Sequence, residues 1–140
     1  MSRMPNKGSV IAYPYLWARQ QKAGETEGRK ARPVCLVLKL RDLKRDVHHL
    51  MLVAITSKPP SDNQVAVEVP DTERVRAKLT RYPRAWILVS EYNYDIAEES
   101  WYFEGSEEII GTFSDPFVRQ VTDALRKEMR TGAIRVDRTR

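Results

Sequence analysis

Arg32-Pro33-Val34-Cys35-Leu36-Val37-Leu38 and Leu50-Met51-Leu52-Val53-Ala54-Ile55-Thr56-Ser57-Lys58 decide the fold of this chain. Each is an apolar run rich in Val, Ile and Leu, and a short polar stretch joins them, which is the pattern of two neighbouring strands. In an antiparallel pair the start of one strand lies beside the end of the next. The guanidinium of Arg32 and the hydroxyl of Thr56 are therefore expected at one end of the pair, and an arginine beside a hydroxyl suits a phosphate.

Working outward, Ser9 to Trp17 reads as a first strand, with Pro14 marking an edge or a bulge. Residues 18 to 31 follow as a long polar loop holding Gly24, Gly28 and several basic residues, without an apolar period. Strands are expected at about 33 to 40, 49 to 56 and 64 to 69, and again over Ala85 to Glu91, with a short one at Trp101-Tyr102-Phe103. Asp71 to Leu79 suits a short helix capped by Asp71, with Arg74 and Lys78 outward and Val75 and Leu79 inward. The strongest helix signal comes last. Asp115 is placed to cap, Pro116 to open the first turn and Gly132 to stop the helix, and Phe117, Val118, Val121, Leu125 and Met129 fall on one face. The stretch from Ala133 to Arg140 is expected to be a charged, frayed tail. The fold class is thus mainly β with a C-terminal α-helix, a bent, partly open antiparallel barrel with the helix across it.

The 140 residues fit one domain, with its core at about 8 to 131, and 41% apolar residues supply that core. No apolar stretch reaches the roughly 20 residues that cross a bilayer, and Met1 to Lys7 lacks the apolar segment of a signal peptide, so a cytoplasmic protein is expected. Cys35 lies inside a strand and offers no metal cluster and no internal disulfide. With 24 Lys plus Arg against 19 Asp plus Glu, the net charge is +5. Nine of the basic residues but only three acidic ones fall between Arg19 and Arg45, so the positive field surrounds the first apolar run. A polyanionic partner fits that distribution.

Gly8 before a first strand, then Gly28-x-x-x-Arg32-Pro33 leading into an apolar strand, then Leu52-Val53-Ala54-Ile55-Thr56-Ser57, resembles the MazF/PemK toxins of type II toxin-antitoxin systems. The likeness runs from about Gly8 to Met129. It implies an SH3-like barrel and a homodimer that cuts single-stranded messenger RNA without a metal or other cofactor, and a cognate antitoxin protein that neutralises it. It places the catalytic arginine at Arg32 and the catalytic hydroxyl at Thr56. The sequence departs from the family in an aromatic first strand, Ala12-Tyr13-Pro14-Tyr15-Leu16-Trp17, and around Tyr92-Asn93-Tyr94-Asp95.

These residue types suit RNA cleavage by attack of the 2′-hydroxyl on its own phosphate. A guanidinium steadies charge on the nonbridging oxygens with two parallel donors, and a threonine hydroxyl adds a third. Ser57, on the opposite strand face, is the weaker hydroxyl. Arg29 and Lys58 are candidates for flanking phosphates, and Tyr92 and Tyr94, in a polar segment, for stacking bases. Tyr13, Tyr15, Trp17 and Trp86 are also available as stacking platforms, with core or dimer packing expected for Trp86 and for about half of the other aromatics. His48 and His49 are adjacent on a strand and point to opposite faces, which rules out a convergent acid-base pair and leaves only His49 as a candidate to face the site. The alternative is a non-catalytic barrel that binds nucleic acid or a peptide, with the same fold and none of the chemistry.

Overall fold

The computed structural model describes residues 5 to 25, 30 to 102 and 109 to 139. β1 spans Ser9–Tyr13, α1 Ala18–Lys22, β2 Arg32–Asp42, β3 Val47–Thr56, β4 Ala66–Glu68, α2 Asp71–Arg76, β5 Trp86–Leu88 and β6 Glu91–Ile96. After a 3-10 turn at Ala97–Glu99 come β7 at Ile109–Thr112, α3 at Asp115–Thr131 and β8 at Ile134–Asp137. The strands form one open sheet in the order β4-β5-β3-β2-β1-β7, with β6 also on β3 and β8 on β6. Every pairing is antiparallel except β6 with β8.

The expected β2-β3 pair forms the centre, in register from Val34 opposite Ala54 to Asp42 opposite Val47, with one bulge between Leu36 and Leu38. Side chains alternate faces along a strand. Cys35, Val37, Val53 and Ile55 therefore join one buried cluster, which α3 covers with Phe117, Val118, Val121 and Leu125. Val34, Leu36, Leu50, Leu52 and Ala54 join a second, on the other face, with Tyr13, Tyr15, Trp17 and Leu88. β3 is long enough to serve two partners on its far edge. Residues 49 to 52 pair with β6, whereas Ile55 and Thr56 pair with β5. The sheet divides at that point, and the division frames the cavity described below.

α3 follows its sequence signals with a shift of one residue. Ser114, not Asp115, is the cap, accepting from the Phe117 N–H; Pro116 stands in the first turn, and Gly132 ends the helix in the left-handed region at φ 117°. Ser114 is itself fixed from α2, donating through its N–H and hydroxyl to the two Glu73 carboxylate oxygens at 2.8 and 2.6 Å. α2 starts after Pro70 rather than from an Asp71 cap. Its Val75 is exposed, while Arg74 turns inward to donate to the Tyr82 carbonyl at 3.0 Å, and the core is met just after the helix by Ala77 and Leu79. Gly111 of β7 lies so close to the end of α2 that a β-carbon there would stand 2.3 Å from the Ala77 carbonyl oxygen.

Further expectations are corrected. The first strand ends at Tyr13, and Ala18–Lys22 of the supposed loop is helical. The polar segment Tyr92-Asn93-Tyr94-Asp95 lies within a strand, and Trp101-Tyr102 is a bend rather than the expected short strand; Phe103 lies outside the described residues. Ile134–Asp137 is no frayed tail but a strand parallel to β6. A buried arginine holds it: Arg138 donates to the Pro14 carbonyl at 2.8 Å and to Asn93 Oδ1 at 3.0 Å, and Asn93 in turn binds both backbone groups of Leu16. Among the described residues no helix is long and apolar enough to cross a membrane.

Candidate functional site

The β2-β3 ladder ends at Val34 and Ala54 because Pro33 has no N–H to give. Beyond that point Arg32 pairs with Tyr13 of β1 and Thr56 with Trp86 of β5. The two strands part, and Arg32 and Thr56 line the space between them, a cavity of about 660 Å³. Both continue the series of alternate residues that faces the second cluster, Val34 and Leu36 on β2, Leu52 and Ala54 on β3. The juxtaposition expected from sequence is therefore present, and period-two alternation is its cause.

Lys58 and Ser57 also line the cavity, as do Arg19, Lys30, Ser61, Gln64 and Tyr82. Four of the lining residues are cationic, Arg19, Lys30, Arg32 and Lys58, and among the described ones none is a carboxylate, imidazole or thiol. Thr56 Oγ1 accepts the Lys58 N–H at 3.1 Å, a local turn that fixes the rotamer and leaves the hydroxyl proton to be directed elsewhere.

Trp17 is the floor under the guanidiniums. The Arg32 guanidinium carbon lies 4.9 Å from the Trp17 ring centre and that of Arg19 5.1 Å. Both contacts are within cation–π range. Trp17 is buried and packs edge-on against Tyr15 at 5.1 Å. Tyr15 donates its hydroxyl to Glu91 Oε1 at 3.1 Å, and the Ala18 N–H reaches the same oxygen at 3.3 Å. Burial pushes the Glu91 carboxyl above its usual range against these two hydrogen bonds and the nearby Arg19 charge. The Tyr15 hydroxyl is pushed far up by its own burial and by Glu91.

The remaining site candidates lie elsewhere. Tyr92 is buried in the cluster under α3, so it presents no face to a base. Tyr94 stacks on His49 with ring centres 5.8 Å apart, lies under the Arg135 guanidinium at 4.0 Å, and is not part of the cavity wall. Both had been expected to stack bases; their segment is polar in composition, but pairing with β3 and β8 turns it into the middle of a sheet. His49 bonds Tyr94 and, at 3.2 Å, Asp42, and His48 bonds Glu98, so neither histidine reaches Arg32. Arg29 lies outside the described residues. Arg19 and Lys30 were visible as members of the basic run, whereas Gln64 and Tyr82 carried no sequence signal of their own.

No protein-family model matches this chain, and no curated protein matches it.

Proposed function

We propose that the protein is an endoribonuclease of the MazF/PemK kind, the toxin of a toxin-antitoxin pair, with the SH3-like barrel of that family. The observation that carries this reading is the meeting of Arg32 and Thr56 in a cavity whose described lining has four cations and no carboxylate. A phosphodiester of single-stranded RNA enters with its nonbridging oxygens toward Arg32. The 2′-oxygen attacks phosphorus, the bond to the 5′-oxygen breaks, and the products are a 2′,3′-cyclic phosphate and a free 5′-hydroxyl. The proton of the attacking hydroxyl leaves as one arrives on the 5′-oxygen. Arg32 stabilises the charge on the phosphorane oxygens and the Thr56 hydroxyl donates to one of them. No step calls on a metal. Homodimerisation, neutralisation by a small antitoxin and action in the cytoplasm belong to the same proposal.

Cleavage of a mixed-sequence single-stranded RNA in the presence of EDTA tests it. Arg32→Ala and Thr56→Ala are each expected to slow cutting by about 10²- to 10³-fold, with an unchanged thermal melt. Cutting that appears only on adding Mg²⁺ overturns the mechanism, and RNA binding without any cleavage leaves a binding barrel in its place.

A further inference from the structure

Next to the Arg32 cavity lies a smaller one of about 300 Å³, and the two share Arg19, Ser61 and Gln64 in their walls. They are therefore neighbouring compartments of one groove. The smaller differs in character, because Glu91 lines it. Among the described residues both hydrogen bonds to this carboxylate fall on Oε1, from Tyr15 and Ala18, and none falls on Oε2. Around it stand the amides of Asn63 and Gln64, the Ser90 hydroxyl and two cations, Lys22 and the shared Arg19.

Resting on the proposed RNA-cutting function, we infer that this compartment is a base-reading subsite, in which Glu91 Oε2 accepts from the exocyclic amine of an adenine, cytosine or guanine beside the cleaved phosphate and thereby discriminates against uracil. The volume suits one base rather than a whole nucleotide chain. A carboxylate oxygen is an acceptor only, so the exocyclic amine of adenine, cytosine or guanine satisfies it, whereas uracil has carbonyl oxygens at those positions and offers only the N3–H between them. The half-buried position makes the contact count, since a buried acceptor deprived of its donor is costly. Arg19, common to both compartments, holds the phosphate that joins the base to the scissile position.

Binding of short single-stranded RNAs tests the subsite without chemistry, using 2′-fluoro riboses that lack the attacking hydroxyl. Wild-type protein is expected to bind oligoadenylate and oligocytidylate on the order of tenfold more tightly than oligouridylate, and to lose that advantage when purine riboside, which lacks the amine, replaces adenosine. Glu91→Gln keeps an acceptor for Tyr15 and Ala18 but turns the Oε2 position into a donor; it is expected to flatten or invert the preference. Equal affinity for adenosine and purine riboside RNAs overturns the inference, as does an unchanged preference in Glu91→Gln. In those cases binding itself persists and the proposed function stands. Failure of the wild type to bind any single-stranded RNA at low salt removes both.

Discussion

The guanidinium of Arg32 and the indole of Trp17 are stacked with 4.9 Å between the guanidinium carbon and the ring centre, and the indole is buried while the guanidinium reaches the cavity. An exposed arginine samples many rotamers, and a donor that must be ordered during reaction contributes less than one already in place. Trp17 supplies that order, and Tyr15 and Glu91 behind it hold the indole in turn.

Replacing Trp17 therefore separates rate from affinity. Trp17→Phe keeps an aromatic face and is expected to cut RNA within a few fold of wild type, whereas Trp17→Leu removes the platform, worth roughly 0.5 to 2 kcal/mol to a stacked cation. The expected outcome for Trp17→Leu is a fall in kcat with a smaller change in KM. Steady-state kinetics on a labelled oligonucleotide read the split, and a circular dichroism melt accounts for the part due to lost packing. Equal losses in kcat and KM would mean that Trp17 acts only in the core.

Four lining cations make a prediction about salt. Binding of single-stranded RNA releases counterions with a slope of about −0.7 in log–log form per phosphate neutralised. Lys58 is exposed at the cavity wall, and among the described residues its side chain makes no hydrogen bond or ion pair. Lys58→Ala is expected to weaken RNA binding and to reduce the salt slope by about 0.7, and anisotropy titrations across a salt series check both effects. An unaltered slope would take Lys58 off the phosphate path.

Arg138 gives a stability prediction at a place where composition misleads. Its backbone N–H donates to the Tyr94 carbonyl and its guanidinium to Pro14 and Asn93, so it ties β8, β6 and the segment leading to Trp17 together. Hydrogen bonds that involve a charged group are worth roughly 1.5 to 3 kcal/mol. Arg138→Met keeps most of the apolar stem and is expected to lower stability by about that amount in a urea titration. The same variant should slow RNA cutting less than Arg32→Ala, because it acts on the scaffold.

Much of the architecture was legible because hydrophobic period is a local signal. The β2 and β3 runs, the α3 face from Phe117 to Leu125 and the meeting of Arg32 with Thr56 all follow from alternation and spacing within one or two elements. What escaped the sequence depends on distant partners. Ile134–Asp137 carries two charges in four residues and looks like tail, yet it becomes a strand because β6 offers an edge and Arg138 finds buried acceptors in Pro14 and Asn93. Tyr92 looks solvent-facing beside Asn93 and Asp95, but those polar groups are themselves buried and satisfied, Asn93 by Leu16 and Asp95 by the Tyr13 and Ser100 hydroxyls. Polarity in a sequence reports exposure only when no distant hydrogen-bond partner exists. The base-reading compartment was hidden for the same reason, since Glu91, Asn63 and Lys22 come from three separate segments.

Glu91 also sets a pH dependence whose sign differs from that of an ordinary surface carboxylate. Burial raises its pKa in the folded protein above the value near 4.5 that it has when unfolded. Between those two values the folded state holds more protons than the unfolded state, so the contribution of Glu91 to stability is present at low pH and is lost as pH rises through the folded pKa. Glu91→Gln cannot ionise and keeps an acceptor for Tyr15 and Ala18. The difference in melting temperature, variant minus wild type, is therefore expected to grow as pH is raised from about 4 toward neutrality. Paired thermal melts across that range measure it. A difference that shrinks with rising pH would mean that the charged carboxylate is the better partner for Ala18 and Tyr15, with Arg19 outweighing the cost of burial.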